Sequence, residues 1–165
     1  MYSETMTSLR KLNPLSSSPA ILDNYKLKFD IPGMPLIEPS WASVEKCTDS
    51  QVHGVLYELT ANDFDSVCRT EGVPFSYILQ RCQVSLYEDN EMITSAFTLV
   101  KSPILLMNGS TSSVAPSKSY LNVLIRGAEE YNLDEEYIQK LKSIVSNKVM
   151  IGNGIAEDML RLSRI

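Results

Sequence analysis

Two strand-like runs, residues 77–87 and 92–100, are separated by little more than Glu88-Asp89-Asn90. A connection that short joins strands only as an antiparallel hairpin, because parallel strands need a crossover of a dozen residues or more. The remaining elements must be arranged around that hairpin. Upstream, Tyr25, Leu27 and Phe29 alternate with Lys26 and Lys28, the pattern of a half-buried strand within residues 20–29. Residues 41–46 and 52–59 are two further strand candidates, and Gly54 inside the second suggests a bulge or a close backbone approach. Between these strands lie Ser16-Ser17-Ser18-Pro19, expected as a turn, and residues 31–39, whose Pro32, Pro35, Pro39 and Gly33 predict an extended, stiff loop.

Helical signals fall elsewhere. Met6, Leu9 and Leu12 have helical spacing, closed by Asn13-Pro14. Thr60 precedes a second helix with Asp63 at the third position, an arrangement like a capping box. Phe64, Val67 and Cys68 form its apolar face, and Glu71-Gly72 marks its end, since Gly takes the left-handed backbone that closes helices. Residues 102–117 read as a mobile loop containing Asn108-Gly109 and a Ser/Thr run. Ser117 then caps a helix with Tyr120, Leu121, Leu124, Ile125 and Ala128 on its apolar face. Asp134 caps another, with Tyr137, Ile138, Leu141, Ile144 and Val145 on one side. The short link near Tyr131-Asn132 makes the two an αα-hairpin. Residues 147–165 read as a tail with a short helix near 157–162. Strands with interspersed helices and a hairpin predict an α+β domain over residues 1–146, a small mixed β-barrel with helices packed outside, rather than a doubly wound sheet.

With 165 residues the chain has room for one domain. A 44% hydrophobic and 21% charged composition supports an ordinary core. The net charge of -5 and scattered Lys and Arg argue against a nucleic-acid partner. No run approaches the roughly 20 apolar residues of a membrane span, and the N-terminus lacks the apolar segment of a secretory signal. Cys47, Cys68 and Cys82 have wide spacings, and His53 is the one histidine. A zinc site needs about four such ligands at short spacings, so no metal site is expected; three reduced thiols in a cytoplasmic protein are the simpler expectation.

Nucleotide-binding glycine motifs, a nucleophile elbow and the H-E-x-x-H pattern are absent. A Ser-His-Asp triad would have to use His53, which reads instead as a structural or surface histidine within a strand. Glu71 is the carboxylate of most interest. It stands at a helix C-terminus, where the backbone carries partial negative charge, and is followed by Val73-Pro74-Phe75-Ser76-Tyr77. Both the helix end and the apolar neighbours predict a raised pKa, the setting of a general acid-base group near neutral pH. By position alone, a solvated glutamate beside a glycine stop is the better reading, because most glutamates are surface charges.

Four segments carry a resemblance. The run N-P-L-S-S-S-P-A-I-L-x-x-Y-K-L-K-F-D-I-P-G-M-P-L-I-E-P-S-W-A-S-V (13–44) resembles the γ-glutamyl cyclotransferase family. So do V-H-G-V-L-Y-E-L-T-x-x-D-F (52–64), T-E-G-V followed by Tyr77, and the A-P-S-x-x-Y segment with its helices (115–141). The resemblance implies that γ-glutamyl amino acids are converted to 5-oxoproline and a free amino acid, with no cofactor and no metal. It also implies Glu71 as proton acceptor and donor, with Tyr77 and Tyr120 in the substrate pocket; both tyrosines also read as core aromatics. A small-molecule γ-glutamyl substrate is the partner it implies, and a homodimer is compatible with it. In the family a Y-G-S-N loop that binds the substrate's α-carboxylate precedes a methionine like Met1. The expectation is therefore a shortened product of a longer gene, with weakened activity. A catalytically inactive binding protein on the same fold is the alternative.

Overall fold

The computed structural model describes residues 3, 6–7, 10–34, 37–89, 91–107 and 114–147. Four strands, β1 (Ser16–Met34), β2 (Glu38–Glu58), β3 (Tyr77–Leu86) and β4 (Ile93–Lys101), form one sheet in the order β2-β1-β3-β4. All three ladders are antiparallel. Helix α1 (Ala61–Thr70) separates the β1–β2 hairpin from the β3–β4 hairpin, and α2 (Pro103–Met107), α3 (Lys118–Glu130) and α4 (Glu135–Lys142) follow. The α+β class holds. Among the described residues no ladder joins β4 to β2, so the sheet is hydrogen-bonded as an open one. Its inner face is nevertheless shared by all four strands, with Ala20, Leu22, Tyr25 and Val84 packed against Val44, Val52, Cys82, Ala96 and Val100.

The β1–β2 hairpin is longer than expected at both ends. Ser16 to Pro19, expected as a turn, pair with Glu58 to Val55. Residues 31–34, expected as a loop, continue the ladder to Met34 opposite Glu38. A proline removes one ladder donor but keeps an extended backbone, and Pro32 lies just past a register shift at Phe29/Ile31, where that loss is tolerated. The two short strand candidates 41–46 and 52–59 are parts of the single strand β2. Within it residues 47–50 stand opposite the single residue Asn24, because Tyr25 pairs with Lys46 while Asp23 pairs with Gln51. Asn24 and Asp49 take positive φ there (60° and 59°), a conformation that Asn and Asp tolerate better than most residues. Gly54, expected at a bulge or close approach, shows neither. It pairs in register with Ala20, and a Cβ added to it would meet nothing within 4 Å. Gly33 has that role instead: an added Cβ would lie 2.0 Å from the Glu38 carbonyl oxygen.

Helices α3 and α4 bury the faces their spacing predicts, whereas Phe64, Val67 and Cys68 of α1 are only partly buried. Tyr120, Leu121 and Ala128 of α3 and Tyr137, Ile138 and Leu141 of α4 are buried against Leu27, Phe29 and Val52 of the sheet. Val145 is the exception at 80% exposed, because α4 ends at Lys142 and Ser143 caps it. At the N-terminus Met6 and Leu12 are buried and the Leu12 N–H donates to the Met6 carbonyl; Leu9 lies outside the described residues. The loop expected at 102–117 is anchored at both ends. Ser102 is fully buried and donates to the Pro74 carbonyl at 2.7 Å, α2 follows it, and Pro116 and Ser117 are buried. Asn108-Gly109 and the tail beyond Asn147 lie outside the described residues. No described helix is long and apolar enough to cross a membrane.

Candidate active site

Glu71 is positioned by the way α1 ends. The Thr60 side chain accepts the Asp63 N–H at 3.1 Å and so caps the helix start. At the other end Glu71 is the cap residue. Gly72 takes φ +71° and donates its N–H to Arg69, and the Val73 N–H reaches back to Cys68 at 3.0 Å. This paired closure needs a left-handed residue after the cap, which glycine supplies without a Cβ penalty. The next turn is held by the Ser76 N–H on the Gly72 carbonyl at 2.8 Å. The Glu71 carboxylate is thereby fixed at the helix end, and its side chain is 16% exposed.

The carboxylate faces a cavity of about 300 Å³. Tyr77, Tyr120 and Trp41 share its wall with Ile31 and Leu124. Both tyrosines bond the backbone of one β2 residue, Ala42. The Tyr77 hydroxyl donates to the Ala42 carbonyl at 2.7 Å, and the Tyr120 hydroxyl accepts the Ala42 N–H at 3.3 Å. Tyr120 also meets Trp41 and Phe29 edge to face. The three site residues expected from the sequence, separated by up to 49 positions, thus line one cavity. The core-aromatic reading of the tyrosines also holds, since both are buried.

Arg10 is the residue the sequence did not indicate. Its Nη2 donates to Glu71 Oε1, and its side chain is only 5% exposed. A cation therefore stands against the carboxylate, where the sequence had suggested only apolar neighbours and a helix end. The one local clue was an arginine flanked by the apolar positions Met6 and Leu12. The pairing spans 61 residues, beyond any spacing rule.

A second, wider cavity of about 900 Å³ lies around His53, lined by Asp23, Asp49, Asp134 and Tyr137. The His53 Nδ1 bonds the Tyr87 hydroxyl, which also accepts the Asp134 N–H at 3.0 Å. The imidazole stacks on Tyr137 with ring centroids 4.7 Å apart. Burial pushes the His53 pKa below its ordinary value, against the opposing pull of the Asp134 and Asp23 charges. Burial also pushes Tyr137 up to about 12. His53 is thus a packed strand histidine, as expected. Cys47, Cys68 and Cys82 are free thiols, and burial raises the pKa of Cys68 and Cys82.

The AIG2-like family model matches residues 51–141, a span that includes Glu71, Tyr77 and Tyr120. The chain belongs to the AIG2-like family. Its curated relatives agree with the resemblance read from the sequence. It is 29% identical over 147 residues to γ-glutamyl cyclotransferase gliK of Claviceps purpurea, covering 86% of this chain and 64% of that one. It is 28% identical to the γ-glutamylcyclotransferase of Bos taurus, covering 84% and 71%. A third relative, verK of Clonostachys rogersoniana, is 32% identical over 54% of this chain and 60% of its own length. The chain therefore spans about two thirds of these relatives. Among solved structures, an uncharacterized protein from Homo sapiens superposes with a TM-score of 0.77 at 21% identity, covering 97% of this chain and 92% of that one. A γ-glutamyl cyclotransferase superposes with a TM-score of 0.75, also at 21% identity, covering 98% and 95%. At that identity these two likenesses establish the fold.

Proposed function

We propose that this chain is a γ-glutamyl cyclotransferase that releases 5-oxoproline and a free amino acid from γ-glutamyl amino acids. The observation that carries the reading is Glu71, a shielded carboxylate fixed at a helix end inside an aromatic-walled cavity. The reaction exchanges one amide for another within the substrate. Glu71 takes one proton from the α-ammonium, and the freed amine attacks the γ-carbonyl. A C–N bond to the ring nitrogen forms and the original amide C–N bond breaks. The ring nitrogen gives up a second proton as the adduct collapses, and both protons end on the departing amine. The atoms balance without water.

The protein's main contribution is geometric, since a flexible γ-glutamyl chain must be folded until amine and carbonyl approach. Tyr77 and Tyr120, both bonded to the Ala42 backbone, give the cavity a rigid wall for that purpose. Proton transfer by a placed carboxylate contributes about 10²–10⁴-fold. The test is 5-oxoproline release from γ-glutamyl-alanine by the wild-type protein and by Glu71→Gln. Release that depends on Glu71 supports the reading. Equal release by both removes Glu71 from its role. Absence of release from a folded wild-type protein favours a non-catalytic binding protein on this fold.

A further inference from the structure

Glu38 opens β2 opposite Met34, and it is wholly buried. A carboxylate taken out of water persists only where hydrogen-bond donors replace its hydration. Ser117, the cap of α3, supplies two: its backbone N–H donates to Oε1 at 2.9 Å and its hydroxyl to Oε2. The Ser117 Oγ in turn accepts the Tyr120 N–H at 3.0 Å, and the Tyr120 hydroxyl accepts the Ala42 N–H. This chain of bonds leaves β2 at Glu38, passes through the first turn of α3 and returns to β2 at Ala42. Two neutral bonds brace the segment before it: Ser40 Oγ donates to the Val114 carbonyl at 2.6 Å, and the Val114 N–H donates to the Phe29 carbonyl at 3.2 Å. Glu38 is the acidic member of the set. It lies at a helix N-terminus, where backbone N–H groups favour an anion, and charge-assisted bonds are roughly twice as strong as neutral ones.

We propose that Glu38 is a positioning residue for Tyr120: its buried carboxylate holds the first turn of α3 on β2 and so sets where the Tyr120 hydroxyl stands in the wall of the Glu71 cavity. That this hydroxyl meets a γ-glutamyl substrate rests on the function proposed above; the positioning itself does not. Tyr120 lines the cavity, and Glu38 and Ser117 stand behind it. Their effect on a ligand therefore passes through the residues they hold. Glu71 is fixed from α1 and Tyr120 from α3, so Glu38 does for the second helix what the Gly72 closure does for the first.

Trp41, the one tryptophan of the chain, stands edge to face against Tyr120 with centroids 5.1 Å apart, so its emission reports on that ring without any turnover. Glu38→Gln keeps the size of the side chain and removes one acceptor oxygen. It is expected to shift the Trp41 emission to the red, and Ser117→Ala, which breaks the same link from α3, is expected to do likewise. The double variant is expected to shift no further than the larger single change, because both cut one link. In 5-oxoproline release from γ-glutamyl-alanine, Glu38→Gln is expected to lower kcat/KM by about tenfold, the scale of a displaced positioning group. In a Tyr120→Phe background the same substitution is expected to change it by less than about twofold, whereas a merely structural role would multiply the two losses. Ser117→Ala carries both measurements if thermal melts show that Glu38→Gln does not fold. Emission unchanged in the single variants, or losses that multiply, overturns the proposal. The two readings fail separately. Coupled emission shifts in a protein that forms no 5-oxoproline keep the positioning role and remove the cyclotransferase. Turnover indifferent to Glu38 and to Ser117 does the reverse.

Discussion

The two cavities present a useful contrast. The one around His53 is about three times the volume of the one around Glu71, at about 900 Å³ against 300 Å³, and it contains the chain's single histidine. Its polar groups are nevertheless engaged with one another: His53 on Tyr87, Tyr87 on the Asp134 N–H, and the Asp134 side chain on the Tyr137 N–H at 2.8 Å. The smaller cavity has an ion pair on its wall, and the arginine of that pair has buried N–H groups that lack acceptors among the described residues. Volume alone would select the His53 cavity, whereas the proposed chemistry rests on the Glu71 cavity.

The largest expected effect comes from one matched substitution in each cavity. Glu71→Gln is expected to lower 5-oxoproline release by about 10²–10⁴-fold, the range for loss of a general acid-base group. His53→Gln is expected to leave release within about twofold. Comparable losses in both variants, measured as kcat on folded protein, would break the contrast.

The tyrosines sharpen it at a smaller scale. Tyr77→Phe removes the bond to the Ala42 carbonyl and lets the cavity wall shift; release is expected to fall by about tenfold, since small misplacements of a positioned group are costly. Tyr87→Phe removes the partner of His53 and of the Asp134 N–H. It is expected to cost about 1–2 kcal/mol in urea unfolding, the range for a partly buried hydrogen bond, with release unchanged. A reversed pattern would assign the chemistry to the wrong cavity.

The ends of the helices are the next step down. Helices α1 and α3 close alike, with the Gly72 and Asn132 N–H groups reaching Arg69 and Glu129, and Val73 and Leu133 reaching Cys68 and Ala128. Gly72 takes φ +71° and Asn132 +48°. Gly72→Ala is expected to cost about 1–2 kcal/mol for a side chain in the left-handed region, with a Cβ 3.1 Å from Ser76 Oγ, and to lower release by re-aiming Glu71. Asn132→Gly relieves the corresponding strain beside the other cavity. It is expected to change stability by less than about 1 kcal/mol and release not at all.

The same contrast shows what was legible in the sequence. Caps are local, and Thr60, Ser117 and Asp134 each accept the N–H three residues on, at Asp63, Tyr120 and Tyr137. The glycine closing α1 was equally legible, and so was the β3–β4 hairpin. Long-range pairing was not. Pro19 and Pro32 signalled breaks, yet both sit in a strand held by its partner, because cross-strand pairing outweighs the loss of one donor. Gly54 signalled a special backbone, but the close approach belongs to Gly33. At the site, Glu71, Tyr77 and Tyr120 came from resemblance, and composition alone would have left Glu71 a surface charge. Arg10 could not have been found, because its significance depends on a partner 61 residues away.

The smallest expected effect concerns pH, and it belongs to the His53 cavity. Burial lowers the His53 pKa from 6.5, with Lys140 adding to the effect and Asp134 and Asp23 opposing it. As pH falls through 6.5, the unfolded chain takes up the proton before the native state does. The unfolded state then binds more protons, so native stability declines as acidity rises toward the native pKa, and no further below it. Above 6.5 both states are neutral and the contribution is flat. The effect is modest because the ring is only half-buried and the two aspartates favour its charged form. Melting temperatures between pH 7.5 and 5.5 are expected to fall more steeply for wild type than for His53→Gln, which has no group titrating at that position. Parallel slopes would mean that Asp134 and Asp23 offset burial in full, so that the imidazole takes up its proton equally in both states, and a shallower slope for wild type would mean that the two aspartates outweigh burial.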